Sequence, residues 1–285
     1  MRKERLAGLL WIDAICINQD NAAERCQQVA IMGQIYKKAA MVHAWLGPDD
    51  KRVQMAMHQI VAAGTDGVRD DILWDWSDNH SASVSHIWHC EYWTRLWVVP
   101  EFLLAKKLTI RCGSYRTETK KLEQLVYTYK ASGRSVRRIN VSKSSQIPSK
   151  IGIDIVWNRR IWQSAQESFR AYLDFRYFVD IVDSIGRGNC VDEHDRIYAL
   201  LPLDETFSTR IQPDYSKTIR QVFSEFCDAQ LDQYLTMKNY PLFMINGMTV
   251  MVKLRAISEM FGLDPESEEV DRALQSFIGA VQRGK

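Results

Sequence analysis

The chain has 285 residues, 46% hydrophobic and 25% charged, with 37 basic against 35 acidic side chains and a net charge of +2. That composition belongs to a globular protein with a large core. The near balance of charge excludes a global field that would select nucleic acid or an anionic membrane surface.

In chain order, residues 1–8 are polar. The apolar run from Leu9 to Ile15 reads as a buried strand, with Asp13, Asn18, Gln19 and Asp20 delivered near its end. Polar groups at a strand's carboxyl end are one way an α/β sheet builds a site. An Asn/Asp turn that caps the next helix is the other reading, and the two are compatible. Asn21 with Glu24 three residues on resembles a capping box. The helix it opens runs to about Ala40, with Val29, Met32, Tyr36 and Ala39 on one face. Met41 to Gly47 is a second strand candidate, stopped by Pro48-Asp49-Asp50. Strand, helix and strand in this order predict a βαβ unit with parallel pairing.

Val53 to Ala63 reads as a helix, 64–85 as loop or short helices, Ile87 to Ala105 as helical, Lys107 to Gly113 as a third strand and Leu122 to Ala131 as a helix. Lys130 to Lys150 carries six basic residues and no acid. Without interleaved aromatics it reads as a solvated linker rather than a nucleic-acid patch. Residues 155–186 read as a long helix, Gly186 to Asn189 as a turn, and Asp195 to Leu203 as a short apolar helix or turn ended by Pro202. Pro213 to Thr218 leads into a helix from Ile219 to Leu235. Asp264 and Pro265 are expected at the start of a last helix whose apolar face is Val270, Ala273, Leu274, Phe277 and Val281. The expected division is an α/β core over 1–113, a basic linker with further helices over 114–203, and a helical C-terminal extension over 204–285. There is no internal repeat.

The six cysteines form no CxxC pair and no regular framework, so they read as reduced and the chain as cytoplasmic. Asp13 interrupts the apolar stretch that a signal peptide would need, and the apolar run from Tyr240 to Val252 is too short to span a bilayer. The common nucleotide-loop, nucleophile-elbow and zinc-protease motifs are absent. His86, His89 and Cys90 place two imidazoles and a thiol together but lack a fourth ligand, so no metal is assigned. Cys16 would be a nucleophile if His43 or His194 reached it, against the commoner role of a small packing residue. Between Tyr92 and Glu101, Arg95 and Glu101 would hold and act on a phosphate-bearing ligand, with Trp93 and Trp97 stacked on its ring. The competing reading is an amphipathic helix with an ion pair and two core tryptophans.

Three segments together resemble the fungal heterokaryon incompatibility (HET) domain family. They are Leu10-Trp11-Ile12-Asp13-Ala14-Ile15-Cys16-Ile17-Asn18-Gln19-Asp20 with Glu24-Arg25 and Gln28-Val29, then Tyr92 to Glu101, then Asp195-Arg196-Ile197-Tyr198-Ala199-Leu200-Leu201. Pro213-Asp214-Tyr215-Ser216-Lys217-Thr218 also fits long members; the last 50 residues resemble nothing in the family. The resemblance implies a protein of fungal non-self recognition that leads to growth arrest or programmed cell death. It also implies an α/β, TIR/flavodoxin-like parallel sheet with a mainly helical C-terminal extension. The family is distantly similar to TIR domains, some of which cleave the nicotinamide bond of NAD with one Glu. By motif that residue is Glu101, with Asp13, Asn18 and Arg95 lining the pocket and Trp93 or Trp97 near a base. NAD is then a substrate, and no cofactor or metal is expected. Expected partners are other proteins or further copies of the chain, without nucleic acid or a membrane span. The alternatives are a non-catalytic self-associating module and an inactive truncated fragment.

The sequence departs from the family in two places. It lacks the opening Ala-Leu-Ser-Tyr-x-Trp-Gly strand, so the sheet is expected to lack its first strand and the chain to be a fragment or truncated gene model. Pro100 stands where the family usually has Gln. Inside a helix it would cost about 3 kcal/mol unless the helix kinks or restarts there.

Overall fold

The computed structural model describes residues 9–63, 85–131, 150–164, 182–183, 186–237 and 247–283. In chain order the elements are α1 (Asp13–Cys16), α2 (Ala22–Lys38), β1 (Val42–Trp45), α3 (Lys51–Ala63), α4 (Ser85–Trp88), a 3-10 turn (Glu91–Thr94) and α5 (Val98–Leu104). There follow β2 (Leu108–Cys112), β3 (Tyr115–Glu118), α6 (Thr119–Ala131), α7 (Lys150–Ser164), α8 (Asp195–Tyr198), a 3-10 turn (Leu201–Leu203) and α9 (Glu205–Arg210). The chain closes with α10 (Ile219–Met237), α11 (Gly247–Ser258), a 3-10 turn (Glu259–Phe261) and α12 (Glu268–Arg283). The expected loop over 64–84, most of the basic linker and the centre of the long helix at 155–186 lie outside the described residues.

The fold is mixed α/β, mostly helical, with a small mixed sheet. It divides into two compact units, one of Met1–Leu10 and Tyr36–Gln163, the other of Trp11–Ile35 and Ser164–Lys285.

In the first unit β1 and β2 are parallel, Val42 level with Leu108 and Trp45 with Arg111. Strand β3 returns antiparallel, Cys112 level with Tyr115. The two-residue Gly113-Ser114 connection permits only a hairpin, so the expected all-parallel sheet becomes mixed. Val42 and Ala44 of β1 and Leu108, Ile110 and Cys112 of β2 are buried, each every second residue. Helix α3 brings Val53, Ala56, Met57 and Ile60 to this core, and α5 brings Phe102, Leu103 and Leu104. Its other apolar residues come from α6 (Leu122, Val126) and α7 (Ile153, Ile155, Val156).

The strand expected over Leu9–Ile15 does not form. Leu9 to Ile12 carry no helix or strand pairing, and Asp13 opens the single turn α1, closed by Ile17 N–H on the Asp13 carbonyl at 3.1 Å. Leu9, Leu10, Ile12 and Ile15 are exposed. An apolar run becomes a strand only when a neighbour accepts its backbone hydrogen bonds, and among the described residues β1 pairs with β2 alone. The parallel partner of β1 therefore follows it in sequence, and the predicted βαβ unit is absent.

The continuous helix expected over Ile87–Ala105 is broken. Pro100 has no N–H, and its ring would strike the carbonyl of Leu96 in an unbroken helix. The chain makes a 3-10 turn, extends at Arg95 (φ −82°, ψ 132°), and restarts a helix at Val98. Pro100 then sits in the first turn, where no backbone N–H has an intrahelical partner, so its presence costs no ladder bond.

A buried guanidinium fixes the other end of α5. Arg159 of α7, 2% exposed, donates to the carbonyls of Phe102 and Ala105, the latter at 2.9 Å, and to Glu123 Oε1 of α6 at 2.9 Å. Burial lowers its pKa, and the Glu123 carboxylate is the largest opposing influence. One side chain thus caps a helix that ends in an extended residue and ties three helices together.

In the second unit the core is built by α10, α11 and α12. Val222, Phe223 and Phe226 pack with Leu254, Ile257 and Phe261, and with Val270, Leu274 and Phe277 on the expected face of α12. That helix starts three residues later than expected. Asp264 heads a turn, Ser267 Oγ accepts the Val270 N–H at 3.3 Å, and Glu268, Glu269 and Asp271 fill the first turn where acids are favoured. Gly33 of α2 lies against Pro202, where an added Cβ would sit 2.3 Å from the proline Cβ. No helix among the described residues is long and apolar enough to cross a membrane.

Replacing Arg159 by Met leaves Glu123 and two carbonyls without their buried partner. Urea denaturation is expected to show a loss of about 3–5 kcal/mol, with Arg159→Lys recovering only part because an ammonium lacks the planar fork.

Candidate functional site

In the first unit Glu101 falls in the first turn of α5, partly exposed. The buried Tyr92 hydroxyl donates to its Oε1 at 2.9 Å. Burial first, and then the Glu101 charge, pushes the Tyr92 phenol well above its ordinary pKa, while Arg95 acts in the opposite direction. Tyr92 therefore keeps its proton and acts as a fixed donor that orients the carboxylate. Arg95 is exposed on the extended link between the two helical turns.

Trp93 and Trp97 do not share a helix face. Trp93 lies in the 3-10 turn and is 0% exposed. Its indole N–H donates to the Ile87 carbonyl at 2.8 Å, and Trp88, Tyr92 and Phe102 surround it with ring centroids 5.0–5.3 Å away. Gly152 of α7 packs on its ring so closely that a Cβ there would lie 2.9 Å from it. Trp93 is thus a core ring, while Trp97, just before α5, is partly exposed.

Asp13 and Asn18 belong to the second unit. Asp13 Oδ1 accepts the Ala14 N–H at 2.8 Å, and Gln19 Nε2 donates to the Asp13 carbonyl at 3.4 Å. Asn18 Oδ1 accepts the Asp20 N–H at 3.2 Å, and Asn21 Oδ1 accepts the Glu24 N–H at 3.1 Å. The Glu24 carboxylate takes the Asn18 N–H at 3.0 Å instead of reaching Asn21, so the capping box spans one extra turn.

Sequence reasoning missed a network in the same unit. The Tyr215 hydroxyl donates to Asp195 Oδ1 at 2.6 Å, and the Arg25 guanidinium lies 3.8 Å from the centre of the Tyr215 ring. Arg25 also donates to Asp192 at 3.4 Å. His194 meets Asp192 Oδ1 at 2.6 Å through Nδ1 and the Lys217 carbonyl at 2.7 Å through Nε2. The Tyr198 hydroxyl donates to the Asp214 carbonyl at 3.0 Å, and Arg196 donates to the carbonyls of Gly186 and Gly188. Burial, with Asp195 next, pushes the Tyr215 phenol far up, so it too remains a donor. The segments at Glu24-Arg25, Asp195–Tyr198 and Pro213–Thr218 were each legible as motif. That they close on one another was not, because nothing in their spacing says so.

A cavity of about 370 Å³ in the first unit lies between Pro48, Asp49 and Asp50 after β1 and His86, His89 and Cys90; Arg95, Trp97 and Glu101 do not line it. The two imidazole centroids are 6.1 Å apart. Among the described residues no three His, Cys, Asp or Glu side chains are arranged to hold a metal ion. Burial pushes the Cys90 thiol up to about 12, and its Sγ donates to the His86 carbonyl at 3.8 Å, so it is not a thiolate ligand. Cys16 is exposed, and both ring nitrogens of His194 are engaged elsewhere.

Residues 1–101 match the family model described as Heterokaryon incompatibility protein (HET). Among curated proteins the chain is 24% identical over 292 aligned positions to Heterokaryon incompatibility protein 6, OR allele, of Neurospora crassa. That alignment covers 85% of this chain and 41% of the relative, so the chain spans about two fifths of the relative's length. No solved structure matches it.

Tyr215→Phe keeps the ring under Arg25 but removes the donor to the buried Asp195 carboxylate. It is expected to cost about 1.5–3 kcal/mol in urea denaturation, and Tyr215→Ala more, through loss of the cation–π contact. In iodoacetamide labelling at pH 8, Cys16 is expected to react first. Cys90, Cys112 and Cys227, their thiols all pushed up by burial, should react only after denaturation.

Proposed function

We propose that this chain acts in fungal non-self recognition, as a cytoplasmic HET-domain protein whose engagement leads to growth arrest or cell death. The match over residues 1–101 and the similarity to the Neurospora crassa incompatibility protein support that reading. For its chemistry we propose cleavage of the nicotinamide–ribose bond of NAD at a TIR-like site.

The observation that carries the chemistry is the setting of Glu101, a partly exposed carboxylate aimed by the Tyr92 hydroxyl at 2.9 Å on a helix whose other end Arg159 holds. Nicotinamide leaves with the bonding electron pair, and the Glu101 carboxylate stabilises the cation that develops on the ribose. Water then adds at that carbon and releases a proton, giving ADP-ribose. Arg95 would hold phosphate, and Trp97 would pack on a base in place of the buried Trp93.

A second reading is a non-catalytic module that works by self-association. Incubating the purified chain with NAD and measuring nicotinamide separates the two. Release is expected, reduced about 100-fold or more by Glu101→Gln and less by Tyr92→Phe. No release from the wild type, or full release from Glu101→Gln, overturns the glycohydrolase reading.

A further inference from the structure

Helix α12 presents two faces of opposite character. Val270, Leu274, Phe277 and Ala280 are buried within the second unit. Glu268, Arg272, Gln275, Ser276 and Arg283 face outward, all exposed, with Gly279 partly so. At 100° per residue these six positions fall in one arc of about 100°. Arg272, Gln275, Ser276, Gly279 and Arg283 border a groove of about 430 Å³ against α10, where Leu231 and Leu235 supply an apolar wall, and Glu268 lies one turn further along the same arc.

Three properties of this face are not used in packing the core of the unit. Gly279 stands in mid-helix, where glycine costs roughly 0.5–1 kcal/mol relative to alanine. The atoms nearest an added Cβ belong to the flexible Arg283 guanidinium, the first at 3.3 Å, rather than to the core. Glu268 and Arg283 have no ionic partner among the described residues, whereas Glu269 pairs with Arg220 at 2.8 Å and Asp271 pairs with Arg255. Finally, the charge order along the arc, acid at one end and base at the other, is its own complement when reversed.

We propose that this face is a self-association surface, in which a second copy of the chain lays its α12 antiparallel across the groove between α10 and α12. A two-fold axis between Gln275 and Ser276 brings Glu268 of each copy level with Arg283 of the other. It also brings Arg272 level with Gly279, whose missing side chain makes room for the arginine stem. The two Glu268–Arg283 pairs lie about 22 Å apart along the helix and clamp the ends, while Gln275 and Ser276 of the two copies meet at the axis. A foreign acidic helix would satisfy Arg272 and Arg283 but leave Glu268 opposed by like charge, which is why the occupant is a second copy.

The association stands apart from any chemistry at Glu101, because sedimentation reads one and nicotinamide the other. Sedimentation velocity of the full chain over a range of concentrations is expected to show a monomer–dimer equilibrium. Arg283→Glu and Glu268→Arg should each weaken it about tenfold or more. The double variant, which restores opposite charges across the axis, should return to within about threefold of the wild type. Circular dichroism checks that each variant is folded, and Gly279→Gln, which fills the space opposite Arg272 without changing charge, should also weaken the dimer. A wild type that stays monomeric throughout overturns the proposal, as does one that stays monomeric while an acidic helical peptide saturates the groove. So does a folded double variant that remains as weak as the single ones.

Discussion

The guanidinium of Arg159 is the constraint on which the first unit depends. A charge buried this deeply is tolerable only when its donors are matched, and here they meet a carboxylate and two carbonyls at the end of α5. That end would otherwise hold unpaired acceptors in a dry environment. Because the cap is rigid and planar, it sets where α5 lies against α6 and α7, and so where its first turn presents Glu101. The Tyr92 hydroxyl fixes the carboxylate from the other side. The candidate chemical group is therefore held by two buried side chains.

The second unit relies on a different kind of lock. Arg25 at the start of α2, Asp195 at the start of α8 and Tyr215 in the loop before α10 are bound by a short hydrogen bond and a ring-to-cation contact. His194 adds a bridge from Asp192 to the backbone at Lys217. Much of what makes these segments recognisable as family motif is thus work of position: a set of polar side chains that satisfy one another where three distant stretches meet. A motif residue with a saturated partner set is evidence for the fold before it is evidence for a reaction.

Periodicity read locally was reliable wherever one element buries one face. The capped start of α2, the helices α3 and α10, the buried positions Val270, Leu274 and Phe277 of α12, and the strands at Val42 and Leu108 are where spacing puts them. Strand β3 went unread because Tyr115–Glu118 is four residues long with one buried side chain; Gly113-Ser114 before it was the available signal. The helix at Ile87–Ala105 was over-read because composition is blind to where a proline falls within a turn. Trp93 and Trp97 show the consequence. Four residues apart, they would share a helix face, yet the break at Arg95 sends one into the core and leaves the other partly exposed.

By itself the sequence determined the helical faces and the local caps, because these depend on side chains within a few residues of one another. Tertiary structure decided whether Leu9–Ile12 is a strand, since a strand exists only when another backbone accepts its hydrogen bonds. It also decided that Pro100 is harmless, since its cost depends on where the helix begins. And it decided which of Asp13, Asn18, Arg95, Trp97 and Glu101 are engaged by neighbours, since burial and hydrogen bonding are properties of the packed chain that no spacing along it records.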